Sequence, residues 1–253
     1  MGELKDKARQ YAKMFGGAAA LSDAAVRGVK ADKIRAVLRD AGALEPGRFR
    51  VLDVGCASGL ILRRLADDAE FGVGIDMDDG GMWKAGDRLA FARADAEHLP
   101  FAAETFDVVI CNHVYEHTDE PERMLREIAR VLRPTGICYF AGPNKYDLVE
   151  PHYGLPLLSW LPRPLADRYL RWTGRGAAYT ERPRSLSGLR QLVRQFHVTD
   201  YTGAIVNDPT RFHATDILAP GSLKQWLAKA VLRAAPFVFP GFVYVLRKRR
   251  DAL

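Results

Sequence analysis

The stretch "VLDVGCASGLILRRLA", Val51 to Ala66, decides the fold. It opens on strand-forming residues, meets two glycines, Gly55 and Gly59, and closes on a helical run, with Asp53 just before the turn. A strand that feeds a helix through a tight glycine turn reads as the first unit of a β-α-β chain. In an open parallel sheet, ligands gather outside the carboxyl ends of the strands, where the strand order reverses. Glycines at such a turn let backbone approach a ligand closely, and a helix start favours an anionic group. A dinucleotide pattern Gly-x-Gly-x-x-Gly would need glycines where the chain has Gly55, Ala57 and Leu60, so one position of three matches. No Gly-Lys-Ser/Thr follows, so a Walker-type phosphate loop is absent.

Outward from this turn, apolar runs alternate with amphipathic ones. Val51–Val54 reads as a strand and Ser58–Ala66 as a helix. "FGVGIDM" (71–77) is a second strand, residues 79–88 a weak helix, and "LAFARAD" (89–95) a third strand. "FDVVICNHV" (106–114) is almost wholly apolar, as a strand buried on both faces should be. "PERMLREIARVLRP" reads as a helix with Pro121 at its start and Pro134 beyond its end. Its Met124, Leu125, Ile128, Val131 and Leu132 form one apolar stripe. "GICYFAG" (136–142) is a fifth strand. The expected fold is α/β, a doubly wound and mostly parallel sheet with helices on both faces. Upstream, residues 3–15 and 23–41 read as helices, the second capped at Ser22 or Asp23 and stopped by Gly42. Downstream, 185–196 reads as a helix, and 197–206 and 241–249 as strands. The domain reading is therefore a helical N-terminal extension, 1–49, and a sheet domain, 50–253. Insertions at 144–184 and 207–240 are expected to form a substrate cap.

The 253 residues carry a net charge of +6, spread as an acidic middle between basic ends: +5 over 1–50, −8 over 51–144 and +9 over 145–253. Basic surface attracts anionic partners such as nucleic acid, phospholipid or a phosphorylated substrate. No apolar run is long enough to span a bilayer. The opening "MGELKDKARQ" is charged, so no secretory leader is expected. Cys56, Cys111 and Cys138 read as reduced thiols of a cytoplasmic protein.

"LDVGCASG" resembles the first motif of the class I S-adenosylmethionine-dependent methyltransferases, Asp/Glu-x-Gly-x-Gly-x-Gly, with Ala57 in place of its middle glycine. "ETFDVVICNHVYEH" and "VLRPTGICYFAGPN" resemble the family's fourth- and fifth-strand segments. The landmarks occur in family order from residue 51 to 144. The resemblance implies S-adenosylmethionine as cofactor and a seven-stranded sheet. It implies cofactor-binding residues on the first turn (Asp53, Gly55, Cys56, Ala57, Gly59), at the end of the second strand (Asp76, Met77), after the third (Asp95, Ala96) and after the fourth (Asn112, His113). Asp76 is placed to hold the ribose hydroxyls, and a carboxylate suits that task because it accepts both O–H donors. Asp95 stands near the position of the adenine amino group, and Asp53 near the methionine ammonium.

Methyl transfer needs alignment of acceptor, carbon and sulfur, and a base when the acceptor is an alcohol. His117 and His152 are the expected catalytic residues, with oxygen as the acceptor atom. Some ubiquinone-type and small-RNA 2′-O-methyltransferases carry Glu-x-x-Glu-His here and bind a divalent ion; in "HVYEH" the first position is His113, and no metal is expected. The motifs of nucleic-acid amino methylation and pyrimidine C5 methylation are absent, although the basic flanks attract nucleic acid. The insertions mix Trp and Leu with Arg and Lys: Trp160, Leu161, Arg163, Arg168 and Arg171 in the first, Leu223, Lys224, Trp226, Leu227 and Arg233 in the second. Such stretches suit peripheral contact with an anionic membrane or a lipid-tailed acceptor. Helices that cover a core or a homodimer interface are the other reading. The acceptor is expected to be a small molecule, a glycan or a lipid-linked molecule. The rival functions are a nucleic-acid methyltransferase and a non-catalytic scaffold on the same fold.

Overall fold

The computed structural model describes residues 24–44, 47–78 and 85–249. The expected helix at 3–15 and the proposed caps Ser22 and Asp23 lie outside the described residues. So does most of the weak helix at 79–88; its remainder, 85–88, is not helical, and Gly86 instead bridges Leu89.

Seven strands form one sheet in the order β3-β2-β1-β4-β5-β9-β8. They are β1 (Arg50–Val54), β2 (Phe71–Asp76), β3 (Leu89–Arg93), β4 (Phe106–Asn112), β5 (Leu132–Pro143), β8 (Phe196–Asp200) and β9 (Gly241–Lys248). The first five pair in parallel, and β9 runs antiparallel to both β5 and β8. The order reverses between β1 and β4, which puts the ligand crevice at their carboxyl ends. Val108, Val109, Ile110 and Cys111 of β4 are fully buried, as an all-apolar central strand requires.

Helices cover both faces. On one, α1 (Ala24–Asp40) packs on α2 (Leu60–Ala66), burying Ala31, Ile34, Val37 and Leu38 with Val51 and Ile61. Gly42 ends α1 as expected: at φ 72° it donates to the Arg39 carbonyl while Ala43 donates to Leu38, the paired bonds of a left-handed C-cap. On the other face, α3 (Pro121–Val131) buries Met124, Leu125, Ile128 and Val131. No turn follows α3, and β5 starts directly at Leu132, four residues earlier than the sequence implies. Asp107 holds this irregular start, accepting from the Arg50 N–H at 2.8 Å and from Arg133 Nη1 at 2.7 Å.

The segment 197–206 departs further from expectation. Only its first residues are strand; Thr202–Asn207 is a short helix, α6. Asp200 accepts from the Thr202 N–H at 2.8 Å, a side-chain turn that starts the helix, and Thr202 Oγ1 then accepts from the Val243 N–H at 3.0 Å. The β-branched Ile205 and Val206 are buried from a helix instead of a strand.

The first insertion builds a small lobe. A hairpin of β6 (Val149–Glu150) and β7 (Leu155–Pro156) precedes α4 (Arg163–Thr173), and Leu155, Leu158, Ala166, Leu170 and Tyr179 form their own cluster. Then come α5 (Leu186–Leu192), capped by the Ser185 hydroxyl, and α7 (Leu223–Ala234) in the second insertion. No helix among the described residues is long and apolar enough to cross a membrane.

Candidate active site

The turn after β1 is left-handed at Gly55, Ala57 and Gly59, with φ of 71°, 46° and 72°. Gly55 and Cys56 both donate their N–H to the Ile75 carbonyl, which locks the turn onto the end of β2. Asp76, at that end, accepts from the Ala57 N–H at 2.7 Å and from the Asp78 N–H at 3.1 Å. One carboxylate thus ties the two loops together and keeps further lone pairs for a ligand. Burial pushes its carboxyl above the usual range, with backbone N–H groups opposing. Asp53 is 3 % exposed; burial raises its carboxyl to about 7, against the pull of Arg27, and its Oδ2 has no hydrogen-bond partner. Such an orphaned buried oxygen invites a cationic or donor group.

A cavity of about 230 Å³ opens beside these residues. Of the residues expected to bind the cofactor, Gly55, Asp76, Met77, Asp95 and Ala96 line it, and so does His117. Asp53, Cys56, Ala57, Gly59, Asn112, His113 and His152 are not among its lining residues. Ala57 instead donates to Asp76, and a Cβ on Gly59 would fall 2.5 Å from Phe91 Cε1, so this glycine serves packing. His113, at φ 58°, gives its N–H to the Ala141 carbonyl.

Sequence reasoning missed Glu97, Thr118, Asp119, Arg163, Thr180 and Arg182, which also line the cavity. Glu97 is buried, and its Oε1 accepts from the N–H groups of Asp119 and Glu120 at 2.8 and 2.9 Å. A second acid two places after Asp95, in "DAEHLP", was its visible signal. Arg182 donates its N–H to the Glu116 carbonyl and pairs with Asp119 at 2.9 Å, folding the first insertion over the cavity. No residue of 207–240 lines it.

Beside the cavity lies a second polar cluster. Tyr115–His117 form a single helical turn, anchored by the buried Tyr115 hydroxyl, which donates to the Pro143 carbonyl at 2.6 Å. Glu116 is fully buried, with His113 Nδ1 at 3.4 Å and His117 Nε2 at 3.9 Å from its Oε1. Burial works against that charge, but the two imidazoles prevail and hold the carboxyl below its usual range. His152 meets His117 edge-on, with ring centroids 5.0 Å apart. Its Nδ1 stands 2.8 Å from Glu150 Oε1. Burial pushes His117 down to about 4. Burial acts on His152 the same way, yet the hydrogen bond and charge of Glu150 outweigh it and raise that imidazole. Glu116, His117 and His152 each offer a donor atom within 4.8 Å of the others, a spacing that would accommodate one cation.

Residues 52–140 match the family model described as a methyltransferase domain. Over 138 residues the chain is 34 % identical to a ubiquinone biosynthesis O-methyltransferase of Hahella chejuensis, covering 49 % of this chain and 56 % of that one. The corresponding protein of Azorhizobium caulinodans is 33 % identical over 138 residues, 49 % and 53 % of the two chains. The chain thus spans just over half the length of these curated relatives. Among solved structures, a chain of the Haloferax volcanii complex that contains the Trm112 methyltransferase activator aligns over 94 % of this chain and 97 % of its own, with TM-score 0.55 and 21 % identity. A Haemonchus contortus N-methyltransferase bound to phosphomonomethylethanolamine and S-adenosylhomocysteine aligns over 86 % and 53 %, with TM-score 0.52 and 16 % identity. Over residues 52–140 the chain carries a methyltransferase domain of the class I S-adenosylmethionine-dependent kind.

Proposed function

We propose that this protein transfers the methyl group of S-adenosylmethionine to an oxygen of a small-molecule acceptor, among them glycan- or lipid-linked molecules. The observation that carries the reading is the cavity at the carboxyl ends of β1, β2 and β4, which Asp76 and His117 both line. When bound, the sulfonium cofactor supplies an activated methyl carbon. Asp76 would hold the ribose hydroxyls and Asp53 the ammonium; the orphaned Asp53 oxygen and the spare Asp76 lone pairs fit both tasks.

The His152–Glu150 pair supplies the base. Glu150 makes His152 a stronger base, because its hydrogen bond and charge outweigh burial and raise the imidazole above its usual range. His117, pushed to about 4, is neutral there and orients the acceptor hydroxyl at the cavity rim. Arg163, Thr180 and Arg182 form the acceptor wall. The relatives named O-methyltransferases support oxygen as the acceptor atom. The reading uses no metal. A lipid-linked acceptor would be met at a bilayer surface, and the basic ends of the chain support a peripheral setting of that kind.

The test is calorimetry with S-adenosylhomocysteine, followed by transfer of radiolabelled methyl to cell extracts split into lipid, glycan, small-molecule and nucleic-acid fractions. Label in the nucleic-acid fraction would support the rival methyltransferase, and absence of any cofactor binding would leave only the scaffold.

A further inference from the structure

Helix α7 is mounted inside out. An amphipathic helix of a globular protein buries its apolar stripe. Of the twelve residues of α7, only the polar Gln225 is buried. Its Nε2 donates to the carbonyls of Val206 and Asn207, at 2.9 and 3.3 Å, and its Oε1 accepts from the Gly221 N–H at 2.8 Å. These bonds fix the rotation of the helix. Leu223, Trp226 and Leu227 share the opposite side at i, i+3 and i+4 spacing, and are 71 %, 64 % and 48 % exposed. Phe237, on the turn after the helix, is 53 % exposed. Lys224, Lys229 and Arg233 complete a helix with no acidic residue.

We propose that α7 is a docking element for an anionic lipid bilayer, with Leu223, Trp226 and Leu227 entering the headgroup region and Lys224, Lys229 and Arg233 meeting lipid phosphates. The charge pattern selects this occupant. In a two-fold pairing with a second copy, the same cations would face one another without an acid on the helix to offset them. A nucleic acid would meet the cations but leave the apolar stripe unused. The location agrees: Asn144, next to the carboxyl end of β5, donates through Nδ2 to the carbonyls of Phe237 and Phe239, so the segment after α7 is tied to the edge of the sheet that holds the cavity. The inference deepens the membrane part of the reading above and does not depend on methyl transfer.

The test is co-sedimentation of the full chain with vesicles of phosphatidylglycerol and phosphatidylcholine, and with phosphatidylcholine alone. Binding is expected to the anionic vesicles only, and to weaken with added salt. Lys224→Glu and Lys229→Glu should each lower partitioning by roughly fivefold or more. Leu223→Ser/Trp226→Ser should abolish it while leaving the melting temperature and S-adenosylhomocysteine binding unchanged. Those two controls separate a failed docking surface from a failed fold or a failed cofactor site. Equal sedimentation with and without vesicles, or unchanged partitioning of the variants, overturns the proposal. So does light scattering that shows a dimer which Leu223→Ser/Trp226→Ser converts to a monomer.

Discussion

Glu150 holds His152 twice: its Oε1 stands 2.8 Å from the ring Nδ1, and its Oε2 accepts the backbone N–H of the same residue at 2.8 Å. Ring orientation and local chain are thus set by one carboxylate that is itself 2 % exposed. Glu150→Gln keeps an acceptor but removes the charge that raises His152. The acid limb of the kcat–pH profile should move to lower pH, because less alkali is then needed to free the base. Turnover should fall about tenfold with donor KM unchanged, and His152→Gln should cost about a hundredfold. A limb that stays in place in Glu150→Gln would show that another group limits the rate.

Asp53 gives a prediction of opposite sign for stability and binding. Its carboxyl lies near 3.8 when solvated and about 7 in the fold. Between those values the folded chain holds a proton that the unfolded chain has lost. The stabilisation this brings is fully present below 3.8 and is lost as pH rises through about 7. Asp53→Asn should therefore raise the melting temperature of the cofactor-free protein by roughly 2–4 °C near pH 8, with the gap narrowing as pH falls through about 7 and closing only below 3.8. The same variant should bind S-adenosylmethionine at least about tenfold more weakly, since a cationic ammonium favours the ionised form. A variant that melts lower at both ends of this pH range would refute the burial argument.

The predictions differ in how far the sequence announced them. Asp76 was legible because it closes the apolar run of β2, and the family resemblance marked an acid at that strand's end as a site residue. The β4 strand was legible because a run buried on both faces has no polar alternation. Arg163, Thr180 and Arg182 were not, since an irregular lobe carries them to the cavity by contacts such as Arg182 to the Glu116 carbonyl. The helix at Thr202–Asn207 was hidden for a similar reason: Ile205 and Val206 read as strand, but Asp200 and Val243 give the local backbone other hydrogen bonds.

Gly59 tests whether the opening turn is built for packing. Its φ of 72° is strained for any residue with a Cβ, and Phe91 Cε1 would stand 2.5 Å from that atom. Gly59→Ala should destabilise the protein by about 1–3 kcal/mol in urea unfolding. Gly59→Ala/Phe91→Leu should recover part of the loss, leaving the backbone strain. A neutral single variant would show that the turn tolerates a side chain.

A histidine base and a metal-held acceptor predict different responses to chelation. Glu116, His117 and His152 are close enough to share a cation, but the mechanism above does not require one. Dialysis against EDTA should leave turnover unchanged, and elemental analysis should find no stoichiometric zinc, manganese or iron. Loss of turnover on chelation, restored by one of these ions, would replace the base with a Lewis acid.

Strand β9, the last described element, sits between β5 and β8. The sheet therefore cannot close while the ribosome is still making the second insertion. From the emergence of β5 to that of β9 the nascent chain waits about 5–20 s at ordinary elongation rates. Throughout that interval β5 offers an unpaired hydrogen-bonding seam flanked by Ile137, Tyr139 and Phe140, all destined for the interior. Unpaired apolar edges of this kind recruit foreign strands. The vulnerable species of this protein is thus the half-synthesised one, and its yield in a cell will depend on translation speed and on chaperones that shield the seam.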